Sequence, residues 1–392
     1  MDPHVTEWLN LLVRWGHMIT GVAWIGASFY FVWLENNLNR SNPRDGLAGD
    51  LWAIHGGGIY HLEKYKLAPE KMPETLHWFK WEAYTTWLTG MLLMTVVYYL
   101  NAQLYLVAPG SELSSGVAVL IGLASIVAGW FVYTLLCDSA LGKRPLLLGV
   151  ILFVLLVAAA WGLSQVFSGR GAFIHVGAII GTIMVGNVFA VIMPAQRALV
   201  KAIEAGAEPD PALPVKGLLR SRHNNYFTLP VLFIMISNHF PSTYGHAYNW
   251  LVLAALAVLS ILVRHYFNTR HRGQSFAWAL PVAALGMISL AFVTSPTKHT
   301  AVADNSVSFD TVRAVIDERC TVCHSAQPTS AAFSAPPGGV MFDTPQQIQQ
   351  QVSQIEAQAV TTSIMPLGNL TQMTQAERDL LAQWIVEGAP AK

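Results

Sequence analysis

Residues 145–165 read PLLLGVILFVLLVAAAWGLSQ, a run without a single charged side chain. An α-helix needs about 20 apolar residues to cross the ~30 Å hydrocarbon core of a bilayer, so this run predicts a transmembrane helix. Comparable runs recur near 8–35, 81–100, 116–137, 172–194, 226–240, 248–266 and 276–295. The sequence therefore predicts an all-α fold, a polytopic bundle of about eight transmembrane helices in a lipid bilayer.

The composition agrees with a membrane protein. Hydrophobic residues make up 53% of the 392 residues and charged residues only 12%, about half the charge usual in a soluble domain. The formal net charge is zero, so there is no basic excess that would favour nucleic acid as a partner. The first apolar run is long and has no basic leader before it, which favours an uncleaved first span over a signal peptide.

Lys and Arg are distributed unequally between the connecting loops. The loops after the first, third, fifth and seventh runs hold sixteen of them when Arg264, at the end of the seventh run, is counted with its loop, whereas the alternate loops hold only Arg170. By the positive-inside rule the basic loops face the cytoplasm. We therefore expect a multi-pass protein of the bacterial inner membrane with both termini on the periplasmic side.

The connections also repeat. Runs one to four are joined by a long, a short and a short loop, and runs five to eight follow the same pattern. His17 in the first run and His175 in the fifth both lie toward the outer side. These features favour a parallel duplication of four plus four spans.

After Pro296 the composition changes, which divides the chain into three parts. Residues 1–296 form the predicted membrane domain, 297–308 a short polar linker, and 309–392 a soluble domain. The last part carries four basic and eight acidic residues from Ser306 onward. Thr374 and Glu377 have the spacing of a capping box, which predicts the start of its final helix.

The soluble part contains Cys320-Thr321-Val322-Cys323-His324, the C-x-x-C-H pattern of covalent c-type haem attachment. The two thiols would bind the haem as thioethers, and His324 would supply an iron ligand. A structural zinc or a redox dithiol is the alternative, but one C-x-x-C supplies too few ligands for zinc. Cys137 stands alone and is expected to be inert packing. Since haem c is attached outside the cytoplasmic membrane, the motif agrees with the orientation given by the loop charges.

A second axial ligand of the haem c iron must come from elsewhere in the domain. Met341, Met365 and Met373 are available, and a thioether ligand raises the reduction potential. Met365 is the predicted ligand because it precedes the final helix. Two helices that close on a haem, with the ligand in this loop, resemble a class I cytochrome c.

Histidines within apolar runs point to a second cofactor, because polar groups there are costly and usually have a partner. His17, His175 and His239 fall in the outer half of the bilayer in the predicted orientation. We predict a haem b held by His17 and His175, with His239 as the substitute for His175. Each histidine could instead be a hydrogen-bonded core residue. Arg14, one turn from His17, would hold a haem propionate or extend to the interface.

Two cytoplasmic regions are rich in polar and aromatic side chains. Residues 51–61 include His55-Gly56-Gly57-Gly58, and residues 220–226 include Arg222-His223-Asn224-Asn225. Glycines allow a close approach of backbone N–H groups, and Arg and Asn suit a flat anion with amide edges. A tight turn with interfacial anchors is the alternative, and a second haem or a metal site is a further one.

Five stretches resemble the membrane-bound, cytochrome c-linked urate oxidase (urate hydroxylase) family: RWGH at 14–17, GVAWIGASFY at 21–30, HGGG at 55–58, HWFKWEAY at 77–84 and RHNNYF at 222–227. The resemblance extends over essentially the whole chain, including the fused cytochrome part. The pattern of the first span is also similar, more weakly, to the haem-binding helix of membrane protoporphyrinogen oxidases.

This resemblance implies oxidation of urate to 5-hydroxyisourate, with water as the oxygen source and no hydrogen peroxide as product. Electrons would pass through haem b to haem c, and then to a soluble cytochrome c or a terminal oxidase. Within such a site we expect Arg222, Asn224 and Asn225 to bind urate and His55 or His223 to accept a proton.

Other functions are weighed against this interpretation. A non-enzymatic membrane anchor for a cytochrome c is the main alternative, although one span would be enough for it. A haem–copper oxidase would need an adjacent pair of histidines, which the sequence lacks. A haem-biosynthesis oxidase would not need a fused electron carrier.

Overall fold

The computed structural model describes residues 2–69, 71–270, 276–295 and 306–391, so positions 297–305 of the predicted linker 297–308 lie outside the described residues. The fold is predominantly helical, as predicted. The helices of the first part are α1 (Pro3–Asn37), α2 (Trp81–Met94), α3 (Ala102–Tyr105), α4 (Ser115–Asp138), α5 (Pro145–Val166), α6 (Gly169–Gly186), α7 (Met193–Glu204), α8 (Ala212–Ser237), α9 (Pro241–Tyr244), α10 (Asn249–Thr269) and α11 (Ala279–Val293). The π-helical segment Thr95–Tyr99 continues α2, the π-helical segment Asn187–Ile192 joins α6 to α7, and a 3₁₀ turn at Ala140–Lys143 separates α4 from α5.

Five of the helices in the described residues are long and apolar enough to cross a bilayer. They are α1, α4, α5, α10 and the continuous helix Gly169–Glu204, and α11 is a shorter apolar helix. The other two predicted spans are also helical and correspond to α2 with its π-helical continuation and to α8. The membrane-spanning character of these five helices agrees with the prediction, whereas the total of eight spans and the duplication of four plus four spans stay predictions.

Helix α8 is much longer than the predicted span at 226–240. It begins at Ala212, and its first part, residues 212–225, is helical although it carries Lys216, Arg220 and Arg222. The apolar run that predicts the span stops at these charged residues. The helix continues through them, because Lys and Arg are good helix formers.

The prediction that the fold is entirely α-helical is wrong in one place. Residues 36–80 contain an antiparallel hairpin of β1 (Leu47–His55) and β2 (Gly58–Tyr65). Gly56 and Gly57 form its turn, with φ of 57° and 80°, the left-handed values that a two-residue hairpin turn requires. The glycine run predicted as a tight turn or a ligand loop is therefore a hairpin turn.

Helix α6 lies at the centre of the bundle and packs against α2, α4, α5 and α8. Small residues allow this close packing, as is usual between membrane helices. A Cβ atom placed on Gly129 of α4 would lie 2.6 Å from Ile179, and one on Gly177 would lie 2.6 Å from Ile234 of α8. The backbones thus approach where side chains are absent.

The C-terminal part has its own helices and its own core. The helices are α12 (Phe309–Arg319), α13 (Pro345–Gln350), α14 (Val352–Ile355), which the π-helical segment Glu356–Thr361 continues, and α15 (Gln375–Val386), with 3₁₀ turns at Pro337–Gly339 and Leu367–Asn369. Phe309, Ile316 and Trp384 are buried together in this core. The predicted capping box is confirmed, since Thr374 and Glu377 cap α15 reciprocally.

The C-terminal part rests on one end of the helix bundle. A Cβ atom on Gly245, directly after α9, would lie 2.8 Å from Ile364 Cδ1, and one on Gly368 would lie 3.0 Å from the carbonyl oxygen of Gln103 in α3. Residues 362–368 therefore contact α3 and α9. This end is the one whose loops are poor in Lys and Arg.

Candidate functional site

Two cavities lie along α1. The first, which we call the histidine cavity, has a volume of about 320 Å³ and is enclosed by α1, α2, α6 and α8. Its wall is mostly apolar and includes Arg14, His17, Trp24, Trp87, Asn238 and His239. A mainly apolar wall with a few polar groups is the usual character of a cofactor site.

The imidazole of His17 is held in place by hydrogen bonds to α2 through one of its ring nitrogens. Its Nδ1 lies 3.0 Å from the carbonyl oxygen of Thr86 and 3.1 Å from the hydroxyl of Thr89. A carbonyl only accepts, so Nδ1 carries the proton and donates it, which leaves the Nε2 lone pair free. A metal-binding histidine typically donates its other ring nitrogen in this way. Gly90 leaves space for the ring, since a Cβ there would lie 2.9 Å from His17 Cε1.

His175 has a different environment. It is completely buried, its Nδ1 donates to the Gly171 carbonyl at 2.8 Å, and its Nε2 lies 3.2 Å from the hydroxyl of Tyr99. A Cβ atom on Gly122 of α4 would be 2.4 Å from this Nε2. The nitrogen that would bind iron is therefore covered by a neighbouring helix and a tyrosine hydroxyl.

The preferred pair of histidines is thus not brought together around the cavity. His17 and His239 both line it, whereas His175 is not among its lining residues. Arg14 also lines it and donates from Nε and Nη2 to the Asn10 side chain, at 3.2 and 3.0 Å. His17, His239 and Arg14 therefore share one cavity, which His175 does not reach.

In the C-terminal part, Cys320 and Cys323 lie directly after α12 and form no disulfide bond in the described residues. His324 donates from Nδ1 to the Val340 carbonyl at 3.1 Å, which again leaves Nε2 free for a metal. Burial lowers the pKa of His324, although its hydrogen bond to Val340 acts in the opposite direction. The imidazole is therefore neutral at pH 7, as a ligand must be. Burial likewise raises the pKa of Cys320 to about 12.

The three methionines of this part differ in burial. Met373 is 3% exposed and belongs to the core, whereas Met341 and Met365 are partly exposed. The backbone of Met365 is fixed, because its carbonyl accepts a hydrogen bond of 2.7 Å from Arg378 and its N–H donates to Gln358. These positions fit the C-x-x-C-H cofactor, and Met365 as its second ligand stays a prediction.

Metal binding without a porphyrin has less support. The described part of the chain holds no group of three or more His, Cys, Asp or Glu side chains that could bind a metal ion. A haem iron needs only one or two protein ligands, so the histidines above are compatible with it.

The predicted urate-binding residues are found in several environments. His55 is exposed beside the hairpin turn, and Arg222 is exposed on α8. Asn224 is engaged on both sides of its amide, since it accepts from Asn187 and donates to the Met184 carbonyl, at 2.8 and 2.9 Å. The structure does not assemble these residues into one pocket.

His223 belongs to a buried polar cluster that the sequence did not reveal. Its Nδ1 lies 2.8 Å from the Tyr133 hydroxyl, which in turn accepts from Asn187. Arg220, two residues earlier, is completely buried, stacks on Tyr133 at 4.9 Å and pairs with Asp138 at 2.8 Å. Arg220, rather than Arg222, is the α8 arginine that faces inward.

The second cavity, which we call the arginine cavity, lies at the end of the bundle where the basic loops are. It has a volume of about 350 Å³ between α1, α8 and α10, and its lining includes Phe29, Trp33, Asn36, Asn37, Arg264 and Arg270. Arg264 Nε donates to Asn225 Oδ1 at 3.0 Å. Asn225, a predicted substrate residue, is therefore connected to this cavity through Arg264.

Sequence reasoning missed Arg264 although its position was informative. It was counted among the basic loop residues, yet it lies inside the predicted span 248–266 and on α10. An ionisable residue within a span is by default a functional candidate.

Comparison with known protein families matches residues 3–295 to the family described as Urate oxidase N-terminal. Searches of curated proteins and of solved structures found no match.

Proposed function

Because the chain belongs to the Urate oxidase N-terminal family, we propose that it is a membrane-bound, cytochrome c-linked urate oxidase. The family match indicates a urate-related oxidation. The observation that supports the cytochrome-linked form is the C-x-x-C-H motif, which lies on the same polypeptide as the matched region.

In the proposed reaction, urate and one water molecule give 5-hydroxyisourate, two protons and two electrons. The new C–O bond takes its oxygen from water, and the two electrons leave singly. Molecular oxygen is not a reactant, so hydrogen peroxide is not a product.

We propose that His17 and His239 hold a haem b in the histidine cavity. This pair of ligands replaces the pair of His17 and His175 predicted from the sequence. Cys320 and Cys323 would attach a haem c whose iron is bound by His324 and Met365. Haem groups at these two positions would accept and release electrons one at a time. The protein contributes the free Nε2 of His17 and of His324, each fixed by an Nδ1–H donated to a backbone carbonyl.

The contact between the two parts of the chain supports electron transfer from haem b to haem c within one molecule. Tyr98 lines the histidine cavity, and its hydroxyl donates to Asn238 on the same wall at 2.9 Å. The ring of Tyr98 also lies 6.3 Å from that of Tyr105 in α3, on which residues 362–368 rest. The loop that contains Met365 is therefore next to the end of the histidine cavity.

An acidic C-terminal part favours a basic electron acceptor, because complementary charge accelerates association. We propose a soluble cytochrome c or a terminal oxidase in this role. We propose that this part lies in the periplasm of a bacterium and that the arginine cavity faces its cytoplasm, and the unequal loop charges support this orientation.

The test is a spectrum of purified protein in lipid nanodiscs under anaerobic conditions, recorded before and after urate is added. Reduction of both the b-type and the c-type bands, with 5-hydroxyisourate as product, is expected. In air with an electron acceptor, no hydrogen peroxide should accumulate. Bands that do not respond to urate, while dithionite still reduces them, would favour the non-enzymatic anchor.

A further inference from the structure

We propose that the arginine cavity is the urate-binding site and that Arg264 pairs with the negative charge of the urate anion. The inference rests on the proposed function and names the site at which the substrate is held. It replaces the pocket around Arg222 that the sequence suggested.

The charge of Arg264 is the first argument. The side chain is only 5% exposed, and no carboxylate forms an ion pair with it anywhere in the described residues. Its Nη2 is buried without a hydrogen-bond acceptor there. Arg220, the other buried arginine of this end, also has N–H groups without an acceptor, but it differs in forming an ion pair with Asp138, which Lys216 shares. A buried charge without a partner is costly, and an anionic ligand would supply the missing partner.

The second argument is the set of groups around the charge. Asn36 donates to the Phe267 carbonyl at 3.1 Å and Asn37 to the Trp33 carbonyl at 2.7 Å. Their side-chain oxygens remain as acceptors for the N–H groups of a purine. Among the described residues the cavity lining contains two arginines and no acidic side chain. The site is therefore electropositive and offers hydrogen bonds to the edge of an amide ring.

The third argument is shape. Phe29 lies under the Arg264 guanidinium, 4.2 Å from ring centroid to Cζ, and Trp33 and Phe267 add further rings to the wall. A volume of about 350 Å³ is at the lower end of the usual range for small-molecule sites. A flat bicyclic anion can stack on these aromatic surfaces.

The fourth argument is position. Ile25 lines the histidine cavity and Phe29 lines the arginine cavity, one helical turn apart on α1. This separation is about 6 Å along the helix axis. On α8, Val231 and Leu229 line the two cavities only two residues apart. The two cavities are therefore neighbours along α1, and His17 lies about 18 Å from Phe29 along the helix axis.

The experiment measures equilibrium binding of radiolabelled urate to the purified full-length holoprotein in nanodiscs without anionic lipid. Arg264→Gln removes the charge, and Arg264→Lys keeps the charge but loses the forked geometry. Arg144→Gln, which removes an exposed arginine from the same end of the bundle, is the matched control. The b and c haem spectra of each variant report whether the protein is intact.

We expect Arg264→Gln to weaken urate binding and raise KM about 10- to 100-fold, as for loss of a charge-assisted hydrogen bond. Arg264→Lys should fall between Arg264→Gln and the wild type, and Arg144→Gln should match the wild type. Hypoxanthine, a planar purine without the charge, should compete poorly with urate for the wild-type protein. Its own affinity should change little in Arg264→Gln.

An Arg264→Gln protein with intact haem spectra and unchanged urate affinity would overturn the assignment, even if the wild type still oxidised urate. The same holds if phosphatidylglycerol in the nanodisc displaced urate, since the cavity would then be a lipid headgroup site. If urate bound through Arg264 but reduced neither haem, the binding assignment would stand and the proposed function would fall.

Discussion

Replacing Gly90 by alanine tests whether His17 binds the haem b iron. A Cβ atom at position 90 would lie 2.9 Å from His17 Cε1, and ordinary contacts begin at 3.4 Å. The imidazole must therefore move by about 0.5 Å away from α2. Its Nδ1 would then lose the 3.0 Å hydrogen bond to the Thr86 carbonyl.

The two effects of this substitution on the free energy of unfolding nearly cancel. Loss of the hydrogen bond costs about 0.5–1.5 kcal/mol, and alanine in a helix gains roughly 0.5–1 kcal/mol over glycine. The protein should therefore accumulate normally. At the iron, by contrast, a displacement of this size is large compared with the tolerance of a ligand bond, which is about 0.2 Å.

We expect Gly90→Ala to lower the ratio of b to c haem and to shift the b-type absorption and its midpoint potential, while haem c is unchanged. Pyridine haemochrome spectra and a redox titration measure these quantities. Gly149→Ala, at an exposed helical glycine with open space around it, is the control and should change neither haem. A Gly90→Ala protein with a full complement of unaltered haem b would refute His17 as the ligand.

Two further predictions concern the C-terminal part. Met365→Ala should keep haem c covalently attached but lower its midpoint potential, because a thioether ligand raises it; Met341→Ala should leave the potential unchanged, and equal potentials in both variants would remove Met365 from the site. For Glu377, burial acts to raise the pKa, but hydrogen bonds from the Thr374 N–H, Arg319 and the Thr374 hydroxyl outweigh it and lower the pKa. A folded-state pKa below the unfolded value gives stability that is present above pH ~4.3 and is lost as the pH falls through the folded-state pKa. Urea unfolding followed by the haem c absorbance should therefore separate wild type from Glu377→Gln at pH 7 and much less at pH 3, and an equal difference at both pH values would contradict this explanation.

The positions of the helices could be predicted because the cost of leaving backbone groups unpaired in lipid acts on every residue of a span. The run at 145–165 and the helix Pro145–Val166 nearly coincide. The capping box of α15 was also predictable, since its two side chains are only three residues apart. In both cases the decisive physics is local along the chain.

The hairpin and the partner of His17 were not predictable in this way. The turn at Gly56-Gly57 depends on pairing between strands, and its sequence was equally consistent with a loop that binds a ligand. His175 and His239 both fall in the outer half of the predicted bilayer, so sequence position alone could not decide which of them is the proposed partner of His17. The difference is that α4 has a glycine at position 122, which lets His175 pack against its backbone.

The arginines at this end of the bundle show what limits the prediction of a site. Arg220 and Arg222 are two residues apart on α8, which is a rotation of about 200° around the helix, so they must face opposite sides. The hydropathy pattern does not show which of the two arginines faces inward, because residues 212–225 have no continuous apolar face. Arg220 faces α4, where Asp138 neutralises it, and Arg222 faces outward. Neither arginine therefore combines a buried charge with the lack of an ion-pair partner, as Arg264 does. By this reasoning the motif RHNNYF acts in the site mainly through Asn225, which holds the Nε of Arg264 and so orients the guanidinium at the wall of the arginine cavity.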